Sequence, residues 1–90
     1  MQTKCERATA MCRRAGYGCG TPNLDGGDLL RVACNARLLE VYAKSDKARL
    51  AGMRTLEAEM ADIDPRRVDE RAWNAVAEAI DSLALAPVAG

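Results

Sequence analysis

Apolar residues recur at helical spacing along most of the chain, and this spacing limits the possible folds more than any other feature. The clearest stripe consists of Leu50, Met53, Leu56, Met60 and Ile63, which follow one another at steps of three or four. Such steps place side chains on one face of an α-helix. No long stretch alternates apolar and polar residues as a half-buried strand does. The sequence therefore predicts an all-α protein.

Residues typical of helix starts divide the chain into four segments. Thr3 followed by Glu6 fits a capping box. Asp28 is predicted to open the second helix. Ser45 is an N-cap residue type, and Asp64 followed by Pro65 is a strong start signal. We expect a single domain, residues 1–90, with helices at roughly 3–15, 28–44, 46–62 and 65–84. One continuous helix from 28 to about 62 is the competing interpretation.

Glycine is concentrated after the first predicted helix. Segment 16–27 holds five of the seven glycines. Glycine is poor inside helices and common at their C-terminal ends, so this segment predicts one glycine-rich loop. Residues 85–90 are predicted to be a frayed tail. We therefore expect a small bundle of three to four helices, with the apolar second helix at its centre and covered on more than one side.

Large apolar side chains are scarce. Hydrophobic residues make up 49% of the chain, but 17 of them are alanine and none is phenylalanine. Because each large side chain contributes roughly 1.5–3 kcal/mol when fully buried, the margin over conformational entropy is thin. Small chains of this kind often gain stability from a partner surface, a metal, a disulfide or self-association. The composition therefore favours a protein that binds another protein or forms a homodimer.

Several function classes conflict with the composition. Thirteen basic and thirteen acidic residues cancel, which does not indicate nucleic-acid binding. The chain has no histidine, so Ser–His–Asp hydrolysis and Cys–His catalysis are excluded. The first residues carry no apolar segment of the kind found in signal peptides, so we expect none, and no stretch reaches the ~18 consecutive apolar residues of a membrane span. We therefore expect a cytoplasmic protein that is not an enzyme, has no cofactor and does not enter a membrane.

The four cysteines allow three interpretations. Four thiolates would suit a structural zinc site, but Cys5 and Cys12 lie about 10 Å apart if they share a helix. The one metal site still compatible with this spacing uses Cys12, Cys19 and Cys34 and lacks an obvious fourth ligand. A disulfide from Cys5 or Cys12 to Cys34 is the second interpretation. The favoured one is that these three are free core residues, because free cysteine is often buried and the cytoplasm keeps thiols reduced.

The segment 46–62 suggests an alternative function. Ala48–Met53 resembles the first helix and turn of a helix-turn-helix unit, with Gly52 as the turn glycine. The recognition helix would then be Thr55–Asp62, which is acidic and has no lysine or arginine to reach phosphates. A DNA-binding regulator, like a thiol- or zinc-dependent structural protein, is therefore kept as an alternative only.

The function that we predict is a protein–protein interaction module, such as a small adaptor, a chaperone-like subunit or an inhibitor of a larger assembly. The size and composition would also suit a modulator encoded by a phage or plasmid. Arginine and aromatic residues are enriched at protein interfaces. The residues predicted to contact the partner are Arg13, Arg14, Tyr17, Tyr42 and Trp73.

Overall fold

The computed structural model describes residues 2–18 and 24–84, which form four α-helices and one short 3₁₀ turn. The helices are α1 (Lys4–Arg14), α2 (Leu24–Tyr42), α3 (Asp46–Ala61) and α4 (Glu70–Leu83), with the turn at Pro65–Arg67 before α4. This part of the chain contains no strand, so the predicted all-α fold is confirmed. It also contains no helix long and apolar enough to cross a membrane.

Two helices start at the residues that the sequence indicates. The Glu6 N–H donates to Thr3 Oγ1 at 3.1 Å at the start of α1. The Ala48 N–H donates to Ser45 Oγ at 3.1 Å at the start of α3. A cap of this kind stabilises a helix by typically ~1 kcal/mol. Residues 28–62 therefore form two helices, and the single-helix interpretation is wrong.

The second helix starts earlier than predicted. It begins at Leu24 rather than at residue 28, so Gly26 and Gly27 are helical. Residues 24–27 of the loop predicted at 16–27 are therefore helical, while its residues 19–23 lie outside the described residues, as does the predicted tail at 85–90. The error arises because glycine was interpreted as a helix breaker, whereas Gly26 is a packing position.

The last helix starts later than predicted. Asp64 and Pro65 begin the 3₁₀ turn rather than α4. The cap of α4 is Asp69, whose Oδ1 accepts a hydrogen bond from the Ala72 N–H at 2.9 Å. The single helix predicted at 65–84 is thus a turn followed by a shorter helix, because the chain contains two aspartates able to cap.

One hydrophobic core joins the four helices. The helix α2 packs against the three others, and α1 also packs against α4. Several core positions are alanine with no exposed surface, which lets the helix backbones approach closely. The completely buried side chains are Cys5, Ala8 and Cys12 of α1, Leu29, Val32, Ala33 and Ala36 of α2, and Ala72, Val76 and Ala79 of α4.

A tight turn at the end of α1 brings Tyr17 back over the bundle. Gly16 has a φ of +87°, in the left-handed region that favours glycine. The Gly16 N–H donates to the Arg13 carbonyl at 3.0 Å, and the Tyr17 N–H donates to the Cys12 carbonyl at 3.1 Å. This pair of bonds is a Schellman motif, which satisfies carbonyls left free at the helix end.

Tyr17 then connects three helices. Its ring packs so closely against Gly26 that a Cβ atom there would collide with Cγ, Cδ1 and Cε1. Its hydroxyl accepts a hydrogen bond from the Asp69 N–H at 2.8 Å, just before α4. The tyrosine therefore fixes the end of α1 against the starts of α2 and α4.

The glycine at position 52 also serves close packing. A Cβ at Gly52 would lie 2.6 Å from both methyl carbons of Leu39, so the glycine lets α3 approach α2. The helix continues through Gly52 without a turn. The predicted helix at 46–62 is thus present as one continuous helix, and the turn required by the alternative helix-turn-helix interpretation is not formed.

Candidate functional site

The strongest candidate site is a groove between α1 and the C-terminal half of α2. The two helices run antiparallel, since Tyr17 lies against Gly26 while Cys5, near the start of α1, interacts with Glu40. The groove is open to solvent and has a volume of about 300 Å³. Its lining residues are Thr9 and Arg13 of α1 and Cys34, Arg37, Leu38, Val41 and Tyr42 of α2.

The wall formed by α2 is apolar and exposed. Leu38 is 53% exposed, Val41 60% and Tyr42 72%. Together with Cys34 they are spaced at helical steps and so share one face of α2. Most buried residues of α2 lie in its first half, so the prediction of a helix covered on several sides applies mainly to that half.

The groove carries positive charge that the described residues do not neutralise. Arg13 projects from α1 and Arg37 from α2, and both are exposed. Ion pairs within 4.0 Å form elsewhere in the described residues, for example between Arg67 and Asp25, but none involves Arg13 or Arg37. The groove's lining residues within 2–18 and 24–84 include no carboxylate. Two guanidinium groups therefore remain available to an anionic partner.

Cys5 and Cys12, the two buried cysteines next to the groove, have thiols of low reactivity. Burial raises the pKa of Cys12 to about 12, with smaller contributions from Cys34 and Asp69. Burial raises the pKa of Cys5 to about 12 as well, and the nearby Glu40 carboxylate adds to the effect. Thiols with such pKa values are protonated at neutral pH and are therefore poor nucleophiles.

The structure separates the cysteines into two kinds. Cys5 and Cys12 are completely buried in the core, as the favoured interpretation predicted, and Cys34 is half-buried in the groove wall. All three are free. In the part of the chain that the structure describes, no three cysteine, aspartate or glutamate side chains are grouped to hold a metal ion. Cys19, the remaining member of the predicted Cys12, Cys19 and Cys34 set, lies outside that part.

The structure brings together two of the five predicted contact residues. Arg13 and Tyr42 line the groove from its two sides. Arg14 is exposed on α1 and lies in a different shallow depression. Tyr17 does not line the groove; its side chain makes contacts within the protein, with Gly26 and Asp69.

Trp73 lies on α4, where it lines both a depression beside Pro65 and Arg66 and a groove between α3 and α4. It is half-buried, and the groove between α3 and α4 has a volume of about 210 Å³. The residues that line it are Glu57, Met60, Trp73, Ala77, Ile80 and Asp81. Its large side chains Met60 and Ile80 are buried, so it offers less accessible apolar surface than the groove between α1 and α2.

Sequence reasoning missed Arg37, Leu38 and Val41. All three belong to the apolar run of α2, which predicted burial along the whole helix. The available signal was Arg37 itself, because a charged residue within an apolar run indicates where the helix meets solvent.

Comparison with known proteins gives no relative from which to transfer a function. No family model matches the chain, and no curated protein or solved structure is significantly similar to it.

Proposed function

We propose that this chain is a non-enzymatic protein–protein interaction module that binds its partner in the groove between α1 and α2. The observation that carries the proposal is the run of three large apolar side chains on one face of α2, each more than half exposed. Single exposed apolar residues are ordinary on protein surfaces. A contiguous set beside a groove is typical of an interaction site.

The composition of the groove supports this role. Interfaces commonly have an apolar centre in which tyrosine and arginine are enriched, and these types supply much of the binding energy. The groove combines Leu38 and Val41 with Tyr42, Arg13 and Arg37. In its cellular role the protein would act in the cytoplasm as an adaptor, a chaperone-like subunit or an inhibitor of a larger assembly.

The test compares two variants in affinity capture from extracts of the cells that naturally express the protein. The first is the double variant Leu38→Gln/Val41→Gln, which removes apolar surface from the groove and keeps good helix formers. The matched control is Leu50→Gln, which removes an apolar side chain that is 43% exposed on α3, outside the groove. Captured proteins are quantified by mass spectrometry against the unaltered chain.

We expect one or a few proteins to be captured by the unaltered chain and by Leu50→Gln, and to be lost with the double variant. Urea unfolding checks that both variants fold. Because all three side chains are exposed, each substitution should change the free energy of unfolding by no more than about 0.5 kcal/mol. Proteins captured equally by all three chains would contradict the proposal, as would the absence of any specific protein.

A further inference from the structure

We propose that the groove binds an acidic amphipathic α-helix of another protein, an inference that rests on the proposed function and names its partner by chemistry. The partner helix would place apolar side chains on the Leu38 and Val41 wall. Carboxylates beside that apolar stripe would pair with Arg13 and Arg37. Shape and charge support this partner independently.

The shape of the groove suits a helix. Cys34, Leu38 and Val41 follow one another at steps of four and three along α2, the spacing with which one helix packs against another. The opposite wall is also a helix, represented by Thr9 and Arg13 at a step of four. A groove between two helices with one apolar wall is a common binding site for an amphipathic helix, which inserts residues i, i+3, i+4 and i+7.

The charges in the groove select an acidic partner. Arg13 and Arg37 come from opposite walls, and among residues 2–18 and 24–84 neither has an ion-pair partner within 4.0 Å. A guanidinium group binds a carboxylate through two parallel hydrogen bonds, which gives both affinity and orientation. Like charges facing each other across an interface disfavour the complex. A helix with lysine or arginine beside its apolar stripe should therefore be rejected.

A second copy of the chain matches this site less well. Glu57 and Asp81 lie beside apolar side chains, but they line the groove between α3 and α4. That surface is concave, so it does not offer a projecting helix face that would fill the groove between α1 and α2. Self-association is therefore an alternative outcome of the test rather than the proposal.

The experiment uses three displayed libraries of helical peptides. Each library has the same apolar residues at i, i+3 or i+4, and i+7, with other positions randomised. The positions beside the apolar stripe are fixed as glutamate in one library, glutamine in the second and lysine in the third. The target is the full chain, and binders are retained only if Leu38→Gln/Val41→Gln abolishes their binding.

We expect groove binders from the glutamate library alone. Their affinity should fall at least tenfold with Arg13→Gln/Arg37→Gln, because both guanidinium partners are lost. The matched control is Arg54→Gln/Arg71→Gln, which removes the same charge from exposed positions on α3 and α4. It should change the affinity by less than twofold. Added salt should weaken the binding, as expected for exposed ion pairs.

The other outcomes separate this inference from the proposed function. Groove binders from the glutamine or lysine library, with none from the glutamate library, would overturn the inference that the partner is acidic. The proposed function would still stand. If none of the libraries gives a groove binder, the inference of a helical partner falls, while the affinity capture described above decides the proposed function separately.

Two further measurements identify other occupants. Sedimentation of a dimer that Leu38→Gln/Val41→Gln dissociates would make a second copy the occupant and overturn the inference. Binding to phosphatidylglycerol vesicles through Arg13 and Arg37, without any peptide binder, would make an anionic membrane surface the ligand and overturn it as well.

Discussion

The close contact between Tyr17 and Gly26 predicts that two neighbouring glycine substitutions have effects of opposite sign. A Cβ atom at Gly26 would collide with the tyrosine ring, whereas a Cβ at Gly27 meets nothing within 4 Å. The ring is rigid, and its hydroxyl is held by the Asp69 N–H. It therefore has little freedom to move aside.

The magnitudes follow from two opposing effects. Replacing glycine by alanine inside a helix gains up to about 1 kcal/mol from helix propensity. Overpacking a well-filled site typically costs about 1–3 kcal/mol. Because a Cβ at Gly26 would clash with three carbons of the ring, the cost should lie at the upper end of that range, about 2–3 kcal/mol. After the propensity gain, we expect Gly26→Ala to lower the free energy of unfolding by about 1–2 kcal/mol. Gly27→Ala should raise it by as much as about 1 kcal/mol.

Urea unfolding followed by far-UV circular dichroism measures both effects. The decisive comparison repeats Gly26→Ala in the Tyr17→Ala background, where the ring is absent. There the substitution should stabilise the protein, because only the helix-propensity gain remains. If Gly26→Ala is as stabilising as Gly27→Ala with the ring present, or destabilises equally without it, the packing argument is refuted.

Three further predictions follow from the buried thiols, from the ion pair of Arg49 and from the hydrogen bond of Tyr17. Because the pKa of Cys5 and Cys12 is raised from 9.0 to about 12, the stability that they confer is fully present below pH 9. That stability should be lost between pH 9 and 12, because the unfolded chain releases its thiol protons at a lower pH than the folded chain does. Urea unfolding should therefore show that the free energy of unfolding falls less steeply with rising pH for the Cys5→Ala/Cys12→Ala variant. Asp46→Asn should lower the free energy of unfolding by about 1–2 kcal/mol, since Asp46 Oδ1 accepts a 2.9 Å hydrogen bond from the buried Arg49 guanidinium. Thermal unfolding should show a smaller loss when the same substitution is made in the Arg49→Met background. Tyr17→Phe should lower the free energy of unfolding by about 0.5–1.5 kcal/mol, because the hydrogen bond from the Asp69 N–H is lost. An unchanged melting temperature would contradict this prediction.

The sequence predicted the helical fold because helix signals are local. The apolar spacing and the capping residues Thr3 and Ser45 act within a few residues of themselves, so they could be recognised without tertiary information. The start of α4 could not be predicted in this way. Asp64 and Asp69 are both able to cap a helix, and the sequence does not show which of them begins the α-helix.

The packing role of glycine could not be predicted in the same way. Gly26 and Gly52 were interpreted as a loop and a turn, but both lie inside helices beside a side chain distant in sequence. Their partners, Tyr17 and Leu39, are known only once the helices are assembled. A single glycine in a sequence does not distinguish a helix break from a close helix contact.

The candidate site was predicted in part for a related reason. Arg13 and Tyr42 were selected as interface residue types, and the structure places them in one groove. The apolar run of α2 predicted burial for Leu38 and Val41, yet the other helices cover mainly its first half. Exposure at the end of α2 depends on how far the neighbouring helices extend, which is a property of the assembled bundle.

The most direct test of the groove as a binding surface is photocrosslinking in the cells that express the protein. Tyr42 is replaced by the photoreactive amino acid p-benzoylphenylalanine, and the control places the same residue at the exposed Glu78 on α4. We predict a discrete crosslinked product with another protein from position 42 and none from position 78. No product from position 42, the same products from both positions, or a product of two copies of this chain would contradict the account.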